Sequence, residues 1–229
     1  SQGWRGETAA ACEGSRRPDV EVGCQVPRLQ LLPAGRVSSG IDEAIALAES
    51  CGLYLFEWQR WCLDQMLSEN ADLSWSAQQI LLLCPRQNGK NAVLEALELA
   101  ALYLFDEYRI IHTAHLVTTS SAHMERMKIL VGNNPELSAI TQFYGGNGKE
   151  KMVRLDTGAR IEFMTRGQKT QRGPSPERVV FDEALYLTDA QIQAIVPSMS
   201  AQSMNEDGGP QFVFTSSAPL ATSDVLHRV

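Results

Sequence analysis

From residue 39 onward, apolar positions fall into two periodicities that alternate along the chain. Ile41, Ala44, Ile45, Leu47 and Ala48 recur on one helical face, and a second helix is expected over about Glu57 to Leu67, after a turn at Cys51 and Gly52. Short apolar runs predict strands at Gln79–Cys84, Arg109–Ala114, Arg178–Phe181 and Gln211–Phe214. Between them, Asn91–Phe105, Ser120–Val131 and Thr188–Met199 read as helices, with Ser120 or Ser121 and then Thr188 as N-caps. Lys151–Met164 reads as a hairpin around Asp156, Thr157 and Gly158. Strands alternating with helices imply an α/β fold, a mostly parallel sheet with helices on both faces. Residues 1–40 are aperiodic and rich in Gly, Pro, Arg and Ser, and read as an N-terminal extension or flexible arm before one domain over 41–229.

The turn between the first predicted strand and its helix holds Cys84, Pro85, Arg86, Gln87, Asn88, Gly89, Lys90 and Asn91. These eight positions follow the phosphate-loop pattern GxxxxGK followed by Ser or Thr, with Cys84 in place of the first Gly and Asn91 in place of the hydroxyl residue. Gly89 lets the backbone approach a phosphate closely, and free N–H groups with the helix dipole favour an anion there. Lys90 would neutralise the β- and γ-phosphates. An amide at Asn91 would ligate Mg²⁺ more weakly than a hydroxyl does.

The strand Val179-Val180-Phe181 ends in Asp182-Glu183, with Asp182 lying 92 residues after Lys90. An apolar strand closing on two carboxylates suits one of them, Asp182, to hold Mg²⁺ through water, and the other, Glu183, to orient an attacking water. A Gly-Lys turn or a solvated acidic turn is common alone; the ordered pair points to a P-loop NTPase fold of the ASCE, RecA-like kind, with ATP and Mg²⁺ as its ligands.

Net charge is −7, which argues against tight nucleic-acid binding by a basic face but leaves room for a few local basic residues. The five cysteines include no CxxC pair and the four histidines form no cluster with them in sequence, so no zinc site is expected and a reducing compartment is. No apolar run of membrane-spanning length occurs, and a soluble, intracellular protein is expected.

Four further segments carry a resemblance to a family. Phe56-Glu57-Trp58-Gln59 lies upstream of the phosphate loop; Arg86 follows the position of the missing Gly; Arg172-Gly173 precedes Asp182-Glu183-Ala184; and Phe214-Thr215-Ser216-Ser217-Ala218-Pro219 closes the last strand. Over roughly residues 41–219 this ordered set resembles the ATPase domain of the tailed-bacteriophage terminase large subunit. The resemblance implies an ATP hydrolase, a motor that translocates double-stranded DNA into a procapsid in the host cytoplasm, working as a homo-oligomeric ring with a portal protein and a small terminase subunit. It implies that Gln59 reads the base, that Arg86 senses the γ-phosphate, and that Thr215, Ser216 and Ser217 couple hydrolysis to motion. It also leads us to expect an arginine acting in trans, for which Arg154, Arg160, Arg166 and Arg172 are candidates. The family's nuclease domain is expected to be absent. Cys84 and Asn91 depart from the usual loop. A superfamily 2 helicase or translocase domain, or a non-catalytic nucleotide-binding module, shares several of these features and stays open at this point. The segment Gly145–Lys151 reads as a DNA-gripping loop or an exposed hairpin end.

Overall fold

The computed structural model describes residues 4–8, 24–146, 150–166, 175–193, 210–217, 223, 225 and 226. Two short strands, β1 (Trp4–Thr8) and β2 (Leu29–Pro33), pair antiparallel in the N-terminal extension. A second pair joins β3 (Ser38–Ser39) to β4 (Ser68–Glu69), clasping helices α1 (Ile41–Ser50) and α2 (Glu57–Met66) between its strands.

The main sheet is built from β5 (Gln79–Leu83), β6 (Arg109–Ala114), β7 (Thr141–Tyr144), β8 (Glu150–Arg154), β9 (Arg160–Thr165), β10 (Arg178–Phe181) and β11 (Gln211–Ser216). Its order is β5-β11-β10-β6-β9-β8-β7. From β5 to β9 neighbours run parallel, while β8 and β7 extend the sheet antiparallel. The expected hairpin over 151–164 is thus one part of a three-stranded meander, and α5 (Pro135–Ala139) and β7 were not foreseen.

The parallel strands are apolar on both faces because both faces are covered. Ile110, Val180 and Val213 point into one core, against α1, α2, α3 (Lys90–Tyr103) and α4 (Val117–Gly132). Ile111, Val179, Phe181 and Phe214 point into the other, which is covered by a 3₁₀ turn at Ala184–Tyr186, by Ile192 within helical residues 189–193, and by Val225 and Leu226. Leu94, Leu97 and Leu99 of α3 are fully buried, each worth roughly 2 kcal/mol of apolar transfer. At the amino ends of the strands, Arg178 is wholly buried, with its Nε donating to Glu107 at 3.0 Å.

Helix α4 begins at Val117 rather than at Ser120, and no side chain caps it. Ser120 is buried inside the helix, its N–H bonded to Leu116 O, so the hydroxyl that suggests a cap in the sequence is not one. The predicted helix 188–199 is seen over 189–193; its remainder lies outside the described residues.

Candidate functional site

The carboxyl ends of β5, β10 and β11 meet at one cavity, lined by Cys84, Arg86, Lys90, Glu183, Ser216 and Ser217 among others. β5 delivers the phosphate loop. Cys84 N donates to Ser216 O at 2.9 Å, which fixes the start of the loop against β11. Gln87 and Gly89 both have positive φ, +62° and +80°, and this left-handed pair turns the chain into α3. Pro85, Arg86, Gln87 and Asn88 are exposed, so the loop presents its polar groups outward. Burial pushes the Cys84 thiol up, against the lowering effects of Asn88 and Lys90.

Lys90 Nζ bonds Asp182 Oδ1 and donates to Asn91 Oδ1 at 3.2 Å. Asp182 is buried, which alone would raise its pKa. Lys90, then His112, then hydrogen bonds from Lys90 and Thr215 outweigh that and hold the carboxyl below its usual range. Thr215 Oγ1 donates to Asp182 Oδ1 at 2.7 Å, and Glu183 N donates to the same oxygen at 2.9 Å. All three donors use Oδ1, and no described hydrogen bond reaches Oδ2. Lys90 Nζ joins the Asp182 carboxylate to the Asn91 amide, and the open Oδ2 leaves Asp182 able to meet a water-mediated divalent cation. Ser216 Oγ is buried without a partner among the described residues, and Ser216 lines the cavity, where a phosphate oxygen would satisfy the hydroxyl. The cavity therefore offers a lysine, a helix N-terminus, a hydroxyl and the Glu183 carboxylate, with buried Asp182 bonded to that lysine behind it, a set of groups suited to a phosphate and a hard cation.

Glu183 stands at the cavity in a left-handed conformation, φ +54° and ψ 49°, which a non-glycine residue adopts at a cost. Arg166, at the end of β9, holds it there. Its NH1 donates to Glu183 O at 2.9 Å and its NH2 to Asp182 O. Burial pushes the Arg166 guanidinium down to about 10, opposed by Asp182 and Glu183.

Three of the four arginines expected to act in trans have described surroundings. Arg166 is committed to its own chain's backbone. Arg154 and Arg160 sit at the amino ends of the parallel strands, away from the phosphate loop: Arg154 bonds Asp106, Asp156 and Leu102 O, and Arg160 bonds Glu162. Arg172 lies outside the described residues.

Gln59 sits between α2 and the phosphate loop. It is buried, its Nε2 donates to Gly89 O at 2.8 Å, and its Oε1 accepts from Phe56 N at 2.8 Å. Through these two bonds Gln59 ties the phosphate loop to α2. Of the possible grip loop, residues 147–149 are outside the described residues; Lys151 Nζ sits 4.7 Å from the centre of the Tyr144 ring.

Sequence reading missed one buried polar cluster. Glu98 of α3 bridges His112 of β6 and His123 of α4, with Oε1 to His112 Nδ1 and Oε2 to His123 Nε2, both 2.7 Å. Three potential ligand atoms within 4.8 Å of one another would suit a metal by proximity. The imidazoles, however, stack nearly parallel, 4.0 Å apart and 13° between planes, so their ring planes do not converge on a common ion. Each carboxylate oxygen is already spent on an imidazole, and the cluster is a hydrogen-bonded triad. The three residues lie on three elements, so no local spacing announces it.

The strand order and the loop define the class: an α/β P-loop NTPase fold of the ASCE kind, with β11 inserted between the phosphate-loop strand β5 and the acidic strand β10. No protein-family model and no curated protein matches the sequence. Among solved structures, the chain is similar to the large terminase of bacteriophage HK97 (TM-score 0.63, 19% identity), covering 78% of this chain and 38% of that one. It is also similar to the large terminase ATPase domain of Thermus phage P74-26 (TM-score 0.52, 16% identity), covering 76% of this chain and 68% of that one. These likenesses show the fold.

Proposed function

We propose that this chain is the ATPase motor domain of a tailed-phage large terminase, hydrolysing ATP to move double-stranded DNA into a procapsid. The observation that carries the reading is the convergence of Lys90, Glu183 and Ser216 on one cavity, with Asp182 bonded to Lys90 at its wall. The terminase-like fold and the ordered motifs support the choice of family.

In this mechanism the loop amides and Lys90 bind the β- and γ-phosphates, and Arg86 meets the γ-phosphate from the exposed side of the loop. Asp182 and Asn91 would hold Mg²⁺, which would supply charge neutralisation to the phosphates. Glu183 orients the attacking water and accepts its proton. Lys90 bonds Asp182 Oδ1, and a phosphate that drew Lys90 away would leave that oxygen to Thr215 and the Glu183 N–H. Because Thr215 shares that same oxygen, β11 is informed of the change, and Ser216 and Ser217 follow. Arg172 is the remaining candidate for an arginine supplied by a neighbouring subunit in a ring. The host cytoplasm, a portal and a small terminase subunit complete this reading.

The test is ATP turnover by the purified chain. Lys90→Ala and Glu183→Gln should each lower it by at least about 10²-fold, with Glu183→Gln still binding nucleotide. Turnover unchanged by both substitutions sinks the proposal. Nucleotide binding without turnover under any condition would make the chain a binding module instead.

A further inference from the structure

A second cavity of about 380 Å³ opens beside the first, between the start of α3 and the start of α4, and shares no lining residue with the nucleotide cavity. Asn91, Glu95, Thr118, Thr119, His123 and Arg126 line it. Nothing in the ATPase mechanism uses the last five.

Three observations give it a sign. First, α4 is sixteen residues long and no side chain caps it, so its first-turn N–H groups are presented without an intrahelical partner, at the positive end of the helix dipole. Second, His123 is buried, its Nε2 is fixed on Glu98, and its Nδ1 has no hydrogen-bond partner. Burial disfavours the charged ring, but Glu98 and then Glu95 outweigh it and raise the His123 pKa. A charged ring carries a hydrogen on Nδ1 that needs an acceptor. Third, Arg126 touches Glu95 through Nε at 3.3 Å, and no described partner takes its two terminal nitrogens. Glu95, the one carboxylate on the wall, is thereby balanced.

We propose that this cavity binds a phosphate-type oxyanion, held by the first-turn amides of α4, by Arg126 and by the His123 ring, whose Nδ1 donates when the ring is charged. The choice of phosphate among oxyanions rests on the ATPase reading. Its source is either orthophosphate leaving the neighbouring site or a backbone phosphate of DNA. Glu98 is the positioning residue, since it sets the ring of His123.

The experiment uses the Lys90→Ala chain, in which the phosphate loop is disabled, titrated with inorganic phosphate and followed by calorimetry and by the imidazole nitrogen signals of His123. Saturable binding is expected, with a shift at Nδ1. It should weaken about tenfold or more when Arg126→Gln is added, as for loss of a charge-assisted bond. Thr118→Glu, at an exposed position, should abolish it by placing an anion at the mouth. A 20-base-pair duplex titrated at several salt concentrations distinguishes the source. If orthophosphate fails to bind but Arg126→Gln lowers the salt slope by about 1, the ligand is backbone phosphate. If neither orthophosphate binding nor the DNA slope responds to either variant, with melting curves unchanged, the site is overturned. That result leaves the ATPase reading intact as long as turnover depends on Lys90 and Glu183.

Discussion

At Asp182 a carboxylate that burial would neutralise is kept charged by its neighbours, and at Glu183 a backbone that would relax is kept strained. Lys90 and Thr215 do the first; Arg166 does the second, by capturing two successive carbonyls. Arg166 touches no reacting atom in the proposed mechanism, so its effect should be on placement. Arg166→Gln is expected to lower kcat by roughly 10²-fold, the scale for misplacing a catalytic group by about 1 Å, while nucleotide KM changes little. Arg166→Lys, which keeps the charge but loses the two-pronged geometry, should recover part of the rate. Equal loss of kcat and nucleotide affinity would instead mark a collapse of the site.

Among the elements, α3 carries the most. Its first turn closes the phosphate loop, its middle fills the core, and Glu98 fastens it to β6 and α4. Gly89→Ala should cost roughly 1–2 kcal/mol for the left-handed conformation alone. The added Cβ would also come within 2.9 Å of Gln59 Nε2 and push the loop from α2, so nucleotide affinity should fall with stability. Removing Glu98 leaves two buried imidazoles without their acceptor, and Glu98→Ala should cost about 3–5 kcal/mol in urea unfolding at neutral pH. Burial works against the Glu98 charge, but His123 and then His112, with their hydrogen bonds, outweigh it and hold the carboxyl at about 2. The folded pKa lies below the unfolded value of about 4.3, so this contribution is complete above that pH and is lost as pH falls toward 2. The acid limb of the stability curve should be shallower in Glu98→Ala than in the parent between those values.

For the whole molecule the question is what completes the site. Among the described residues no arginine other than Arg86 lines the nucleotide cavity; Arg154, Arg160 and Arg166 bond groups of their own chain, and Arg172 lies outside the described residues and is the candidate we put to the test. A ring would supply it from a neighbour, an effect of about 10³–10⁵ in rate where such arginines act. Specific activity should therefore rise with protein concentration, in step with assembly measured by light scattering, and Arg172→Ala should remove the rise. Constant specific activity over a hundredfold dilution would exclude the trans arrangement. Net charge of −7 agrees with this picture, since DNA contacts would come from a few local groups on each subunit.

The sequence by itself determined the class of the fold and the two poles of the site. Buried parallel strands are continuous apolar runs, and a phosphate loop and an acidic strand end are local patterns, so Gly89-Lys90 and Asp182-Glu183 were legible without coordinates. Short elements with weak periodicity, α5 and β7, were not, and the true start of α4 was masked by hydroxyls that suggested a cap. Only the tertiary structure placed β11 between β5 and β10, which brings Thr215 onto Asp182 from 33 residues away. Only it turned Arg166 inward, spent the amide of Gln59 on the loop, and gathered Glu98, His112 and His123. The reason is physical: periodicity reports which face of an element is buried, whereas the pairing of parallel strands and the partners of a long side chain depend on contacts distant in sequence.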